Sequence, residues 1–98
     1  MKTVNYKADL LKRLADPDYA AGYLTECFNE GEAVFLLALR DVVEVHGGVG
    51  QLAKASKLNR ESLYRLLSKN GNPTLASLNT ILDVLGLELH FASKAEAA

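Results

Sequence analysis

Residues 49–67 read VGQLAKASKLNRESLYRLL, and this stretch predicts two short helices joined by a tight turn. Ala53, a small residue, precedes Leu58 in the turn by five positions, and Leu63 follows Leu58 by five. This spacing is typical of a helix-turn-helix, in which a small residue lets the two helices pack closely. The second helix would bury its leucines and present its polar side chains to a DNA major groove. The stretch therefore favours a DNA-binding function.

The formal net charge of the 98-residue chain is −1, but the charges are unevenly distributed. Residues 1–48 carry five basic and eight acidic residues, and residues 73–98 carry one basic and three acidic residues. Residues 49–72 instead carry five basic residues against the single acid Glu61. The basic block thus coincides with the predicted helix-turn-helix, where attraction to DNA phosphates is needed.

Length and composition limit the classes of protein to which the chain can belong. Ninety-eight residues, 49% of them hydrophobic, predict one folded domain over residues 1–98. Cys27, the single cysteine, lies on an apolar helical stripe and is assigned to the core. No membrane span and no signal peptide is recognisable, so we expect a cytoplasmic protein. No metal-ligand spacing, cofactor motif or nucleophile–base pair is recognisable either, and we expect the protein not to be an enzyme.

The periodicity of apolar residues predicts an all-α fold of five or six helices. Three of these helices have recognisable N-caps in Asp16, Asn59 and Thr74. The expected helical segments are Asp9–Ala15, 17–29, Glu32–His46, 49–56, 60–69 and Leu75–Leu85.

The C-terminal part of the chain shows a different pattern. Residues 87–91, LELHF, alternate apolar and polar side chains, which predicts a short half-buried β-strand. Because a lone strand is unstable in water, this strand needs a partner. The partner is either residues 3–6 of the same chain or the same strand of a second protomer. Residues 1–46 are thus expected to form the N-terminal helices, 47–86 the helix-turn-helix core, and 87–98 the strand and tail.

The candidate DNA-contacting residues lie on the second motif helix, on the face opposite its leucines, because polar side chains there face solvent. Arginine can form bidentate bonds to guanine and glutamate can accept from cytosine, although Glu61 would equally cap the helix or orient Arg65. The candidates for base readout are Arg60, Glu61, Ser62, Tyr64 and Arg65. The candidates for phosphate contact are Lys54, Lys57, Asn59 and Lys69.

An ordered set of short motifs carries a resemblance to known proteins. The motifs are Asp-Pro at 16–17 opening a helix that contains AGYL at 21–24, LAKA at 52–55, RESLY at 60–64, GNPTL at 71–75 and LGLEL at 85–89. Residues 48–86 resemble the Cro-type (XRE) helix-turn-helix of phage repressors, which implies a lambda-repressor-like fold. Nearly the whole chain resembles the probable addiction module antidote proteins, which are relatives of HigA-type antitoxins.

The resemblance implies a homodimeric antitoxin that binds a RelE/HigB-like ribonuclease toxin and represses its own operon by binding operator DNA. It also implies that residues 1–46 offer surfaces for toxin or dimer contacts. Two positions depart from the repressor pattern. Val49 stands where a phosphate-binding glutamine is common, and Lys57 stands at the turn position usually held by glycine. If the turn requires a positive φ, Lys57 costs about 1 kcal/mol there.

Two alternatives to the antitoxin interpretation remain open at the level of sequence. The first is a stand-alone repressor with no toxin, and the second is a protein-interaction module whose helix-turn-helix has lost DNA binding. The second alternative stays open for two reasons. Val49 and Lys57 depart from the repressor pattern, and the net charge of the whole chain is negative.

Overall fold

The computed structural model describes residues 6–97, which form a series of helices. The six longer helices are α1 (Tyr6–Leu14), α2 (Pro17–Glu30), α3 (Glu32–Val45), α4 (Gly48–Ser56), α5 (Arg60–Leu66) and α6 (Leu75–Val84). A single helical turn, α7 (Lys94–Ala97), follows near the C-terminus. The predicted all-helical class is confirmed for this part of the chain. Within it, no helix has the length and apolar character needed to cross a membrane.

The predicted N-caps open three of the helices. The side chain of Asp16 accepts a hydrogen bond from the backbone N–H of Asp18 at 3.0 Å, and Pro17 takes the first helical position of α2. Asn59 caps α5 and Thr74 caps α6 in the same way, by accepting from the N–H groups three residues later. Each cap satisfies a backbone donor that has no partner inside its helix. The starts of α2, α5 and α6 therefore follow from local chemistry.

The core lies between α3 and the helices that surround it. α3 packs against α1, α2 and α4, and α4 in turn packs against α5 and α6. α2 and α3 form an antiparallel hairpin through Gly31, whose φ of 149° lies in a region that non-glycine residues avoid. The fully buried side chains are Leu14, Leu39, Val42, Val43, Leu63, Leu67 and Ile81.

Two helices differ from their predicted bounds by more than one residue at one end. α1 begins at Tyr6, so this residue is not part of the extended segment predicted for residues 3–6, and residues 3–5 lie outside the described range. α5 was predicted to reach Lys69 but ends at Leu66. The hydroxyl of Ser68 donates to the carbonyl oxygen of Arg65 at 2.9 Å, the acceptor that Lys69 would use if the helix continued.

The predicted β-strand at residues 87–91 is wrong for the part of the chain that the structure describes. Residues 87–93 have no regular secondary structure, and no strand occurs among residues 6–97. Leu87 donates its N–H to the carbonyl oxygen of Leu82 and packs on the core, so it closes the end of α6. Beyond it, Phe91 is 93% exposed. Alternation alone does not make a strand, because the backbone also needs a second strand beside it.

Candidate nucleic-acid interface

The turn between α4 and α5 lies where the sequence predicted the turn of a helix-turn-helix. Lys57 ends α4 in the left-handed conformation, with φ 64° and ψ 19°, and its N–H bonds to the carbonyl oxygen of Ala53 at 2.9 Å. The next N–H, of Leu58, donates to the hydroxyl of Ser56 at 3.2 Å. Asn59 then opens α5 in an extended conformation. The connection between α4 and α5 is three residues long, and Lys57 is the residue in it that has a positive φ.

Buried leucines fix the orientation of α5. Leu63 and Leu67 are fully buried, and both belong to the same core cluster as Leu52 of α4. Leu66 is half-buried. Since residues advance by about 100° per position along a helix, the opposite face of α5 points to solvent. The exposed residues on α5 are Arg60, Glu61, Tyr64 and Arg65.

The two arginines of α5 occupy different surroundings. The guanidinium of Arg60 reaches back to the first turn of α4, where its Nη2 lies 3.8 Å from the position that a Cβ would take on Gly50. The guanidinium of Arg65 donates to the hydroxyl of Ser62 at 3.4 Å. Arg65 thus contacts Ser62, and not Glu61 as one interpretation of the sequence suggested. Both arginines remain exposed.

The other predicted contact residues surround this face of α5. Lys54 lies exposed on α4, Lys57 lies exposed in the turn, and Lys69 lies exposed beyond the end of α5. The side-chain oxygen of Asn59 is occupied by the N–H of Ser62 at 3.1 Å, which leaves its amide NH₂ group facing outward as a donor. The structure therefore brings Arg60, Ser62 and Arg65 together on one short helix and distributes the lysines around it.

A groove beside α5 is lined by charged side chains of both signs. Tyr64 and Val49 line this groove together with Arg40, Asp41 and Glu44 of α3 and Lys7 of α1. Arg40 is exposed, and it belongs to the half of the chain whose net charge is acidic. Counting charge by blocks of sequence did not indicate that Arg40 lies beside Tyr64 of α5, because this position depends on the packing of α3 on α4.

Comparison with known proteins gives a match over almost the whole chain. Residues 5–93 match a family model described as "Probable addiction module antidote protein". An "Uncharacterized protein" of Haemophilus influenzae is 31% identical over 81 residues, which are 82% of this chain and 82% of that protein. No solved structure matches the chain. The family match covers both the candidate interface and the helices that precede it.

Proposed function

The chain belongs to the family described as "Probable addiction module antidote protein", and on this premise we propose that it is a DNA-binding antitoxin. The family assigns the chain a toxin–antitoxin role, as the resemblance in the sequence predicted. The proposal adds that the chain represses its own operon, as part of a type II module with a RelE/HigB-like toxin. It also assigns α4 and α5 to a Cro-type (XRE), lambda-repressor-like helix-turn-helix. In this function the protein binds partners in the cytoplasm and catalyses no reaction.

The observation that carries the DNA-binding proposal is the exposed basic face of α5. Its leucines are buried, its N-terminus is capped by Asn59, and Arg60 and Arg65 are both exposed. Because α5 is fixed by its buried leucines and its cap, it can enter a DNA major groove without a change in its own conformation. Bidentate hydrogen bonds from arginine to guanine are the commonest specific contacts to DNA.

We assign base readout to Arg60, Glu61, Ser62, Tyr64 and Arg65. The bond from Arg65 to Ser62 restricts the guanidinium before DNA arrives, which lowers the entropy lost on binding. Phosphate contacts are assigned to Lys54, Lys57 and Lys69, since an ammonium group positions the protein without reading sequence. Asn59 is assigned the same role through the NH₂ donors of its amide. The side chain of Val49 cannot donate a hydrogen bond to phosphate. In its place, the backbone N–H groups at the start of α4 serve as phosphate donors.

A homodimer completes this proposal, because one helix-turn-helix reads only a few base pairs. A two-fold dimer places two α5 helices in successive major grooves, about 34–36 Å apart. The exposed apolar side chains of the C-terminal segment, Leu89 and Phe91, provide the surface for pairing. Light scattering should then give the mass of two chains for the free protein, and the mass of two chains plus one duplex when operator DNA is present. The mass of one chain under both conditions would contradict the dimer.

A gel-shift titration on the DNA upstream of the protein's own gene tests the DNA-binding proposal. We expect a shift of this DNA at lower protein concentration than a scrambled sequence of equal length, and log K should fall linearly with log salt concentration. A protein that shifts neither DNA at low salt, or both equally, is not an autorepressor.

A further inference from the structure

Arg40 is the cation of the groove beside α5 that has no carboxylate in contact with it. Lys7, the other cation of the groove, has its Nζ 3.3 Å from Oδ1 of Asp41 and 4.0 Å from Oε1 of Glu44. Arg40 is exposed, and among residues 6–97 it belongs to no ion pair. Its guanidinium is therefore open to an anionic group of another molecule.

The first turn of α4 lies close to arginines from two other helices. Arg40 of α3 lines the groove together with Gly48 and Val49, which begin α4. From α5, the Nη2 of Arg60 lies 3.8 Å from the position that a Cβ would take on Gly50. The proposed function places a DNA phosphate at this turn of α4. Arg40 thus adjoins a point at which phosphate is already expected.

The dimensions of DNA determine what lies beside α5 in a complex. The major groove is about 12 Å wide, and a helix with its side chains is about 10–12 Å across. A helix seated in the major groove therefore fills its width, and the two phosphate backbones run along its sides. Tyr64, on the exposed face of α5, lines the same groove of the protein as Arg40. Arg40 is thus placed to meet a phosphate beside α5, whereas the base edges lie beneath this helix.

The chemistry of the groove favours a direct contact over attraction at long range. Two cations and two carboxylates line it, so their charges sum to zero. A neutral lining does not concentrate phosphate by its field. A guanidinium, however, binds phosphate through two parallel N–H···O bonds, which are strong because both partners are charged.

We infer that Arg40 binds a phosphate of the DNA backbone beside the first turn of α4 and contributes affinity that does not depend on base sequence. The inference rests on the proposed DNA-binding function and adds a contact from α3, outside the helix-turn-helix. Arg40 then supplies a cationic side chain to the side of α5 where Val49 supplies no hydrogen-bond donor.

Fluorescence anisotropy titrations of promoter DNA and scrambled DNA over a range of salt concentrations test this inference. Arg40→Gln should weaken binding to both DNAs alike, by about tenfold at low salt, because a hydrogen bond to a charged group is lost. Its salt slope should fall by about one for each bound chain. Arg40→Lys keeps the charge and should keep the wild-type slope, with a smaller loss of affinity.

The salt slope separates a contact with phosphate from an effect on folding. A variant that is partly unfolded has a lower apparent affinity, but its folded fraction releases as many counterions as the wild type does. The matched control is Arg13→Gln, the same substitution at an exposed arginine of α1 that pairs with Asp9 at 3.2 Å. It should bind both DNAs within about twofold of the wild type and with the same slope, as expected of a residue outside the interface.

Neutral methylphosphonate groups, introduced one at a time into the promoter DNA, locate the contact. Replacement of at least one phosphate should weaken binding of the wild type and leave binding of Arg40→Gln unchanged, because the variant has already lost that contact. An equal loss in both proteins at every phosphate would contradict the assignment.

Wild-type affinity and slope in Arg40→Gln would overturn the inference and leave the DNA-binding function standing. An equal fall in the slope of Arg13→Gln would also overturn it, because the effect would then follow net charge. So would a loss confined to promoter DNA, because Arg40 would then read bases. If the wild-type chain binds neither DNA, the proposed function itself is wrong and the inference falls with it.

Discussion

Lys57 is the residue at which function and stability compete most directly. It holds a left-handed conformation, with φ 64°, that costs a residue with a Cβ about 1 kcal/mol. Its exposed ammonium group is assigned to DNA phosphate. The departure from glycine noted in the sequence therefore has a structural cost, and the proposed contact with DNA offsets it.

Lys57→Gly should raise the free energy of unfolding by about 0.5–1 kcal/mol, because glycine adopts positive φ without strain. Urea denaturation followed by circular dichroism measures this change. The matched control is Lys54→Gly inside α4, which should lower stability by about 1 kcal/mol because the position is helical. A loss of stability in both variants would show that the turn does not strain Lys57.

Cys27 shows what the sequence could predict about single residues. Its apolar stripe placed it in the core, and it is 7% exposed there. The caps Asp16, Asn59 and Thr74 were predicted from chain neighbours alone and are confirmed. Burial, together with the neighbouring Cys27 thiol, raises the pKa of Tyr23 to about 12, and this detail of side-chain packing is one that no residue pattern indicates.

Reactivity of the Cys27 thiol follows from its burial. Burial raises its pKa, and a thiol must lose its proton to react, so alkylation of the native protein near pH 8 should be slow. Reaction with a chromogenic disulfide should proceed at the rate of a free thiol only after the protein is unfolded in urea. Equal rates in the native and unfolded states would place Cys27 outside the core.

At the scale of elements, the break after α5 depends on a close approach of backbone. A Cβ on Gly71 would overlap the carbonyl oxygen of Leu66, and the N–H of Gly71 bonds to the carbonyl oxygen of Ser68 at 2.8 Å. The absence of a side chain at this position lets the chain fold back on the end of the helix.

Gly71→Ala should lower the free energy of unfolding by about 1–3 kcal/mol, because backbone atoms must move to admit the methyl group. Gly22 lies in the middle of α2, and beyond the backbone of that helix nothing comes within 4 Å of the position that a Cβ would take there. Gly22→Ala should therefore raise stability by about 0.5–1 kcal/mol. Thermal unfolding of the two variants should shift the midpoint in opposite directions. A stabilised Gly71→Ala would contradict the close approach.

Helices were more predictable than the C-terminal segment for a physical reason. A helix satisfies its hydrogen bonds within itself, so apolar spacing and caps located all six longer helices to within three residues at each end. A strand requires a partner strand that the sequence does not specify. For that reason the alternation of residues 87–91 led to a wrong prediction of a strand. The early end of α5 coincides with two local features that apolar periodicity does not register, the hydroxyl of Ser68 on the carbonyl oxygen of Arg65 and the close approach of Gly71 to Leu66.

At the scale of the whole molecule, charge is unevenly distributed. The basic residues of the segment 49–72 were evident from the sequence, because they lie close together along the chain. The positions of Arg40 in the groove beside Tyr64 and of Arg60 near the first turn of α4 depend on how separate helices pack. Such juxtapositions could not be predicted from one sequence. The basic face is the surface that we propose for DNA.

The central claim is that α5 reads DNA sequence, and fluorescence anisotropy titration of promoter DNA tests it most directly. The titration compares, at one salt concentration, the wild-type protein with the variants Arg65→Ala and Lys69→Ala and the control Arg13→Ala. Arg65→Ala should lose about 1–3 kcal/mol of operator binding and most of its preference over scrambled DNA. Lys69→Ala should weaken both DNAs alike and lower the salt slope by about one, and Arg13→Ala, on α1, should bind as the wild type does. If Arg65→Ala binds the operator as tightly and as selectively as the wild type, α5 is not the recognition helix.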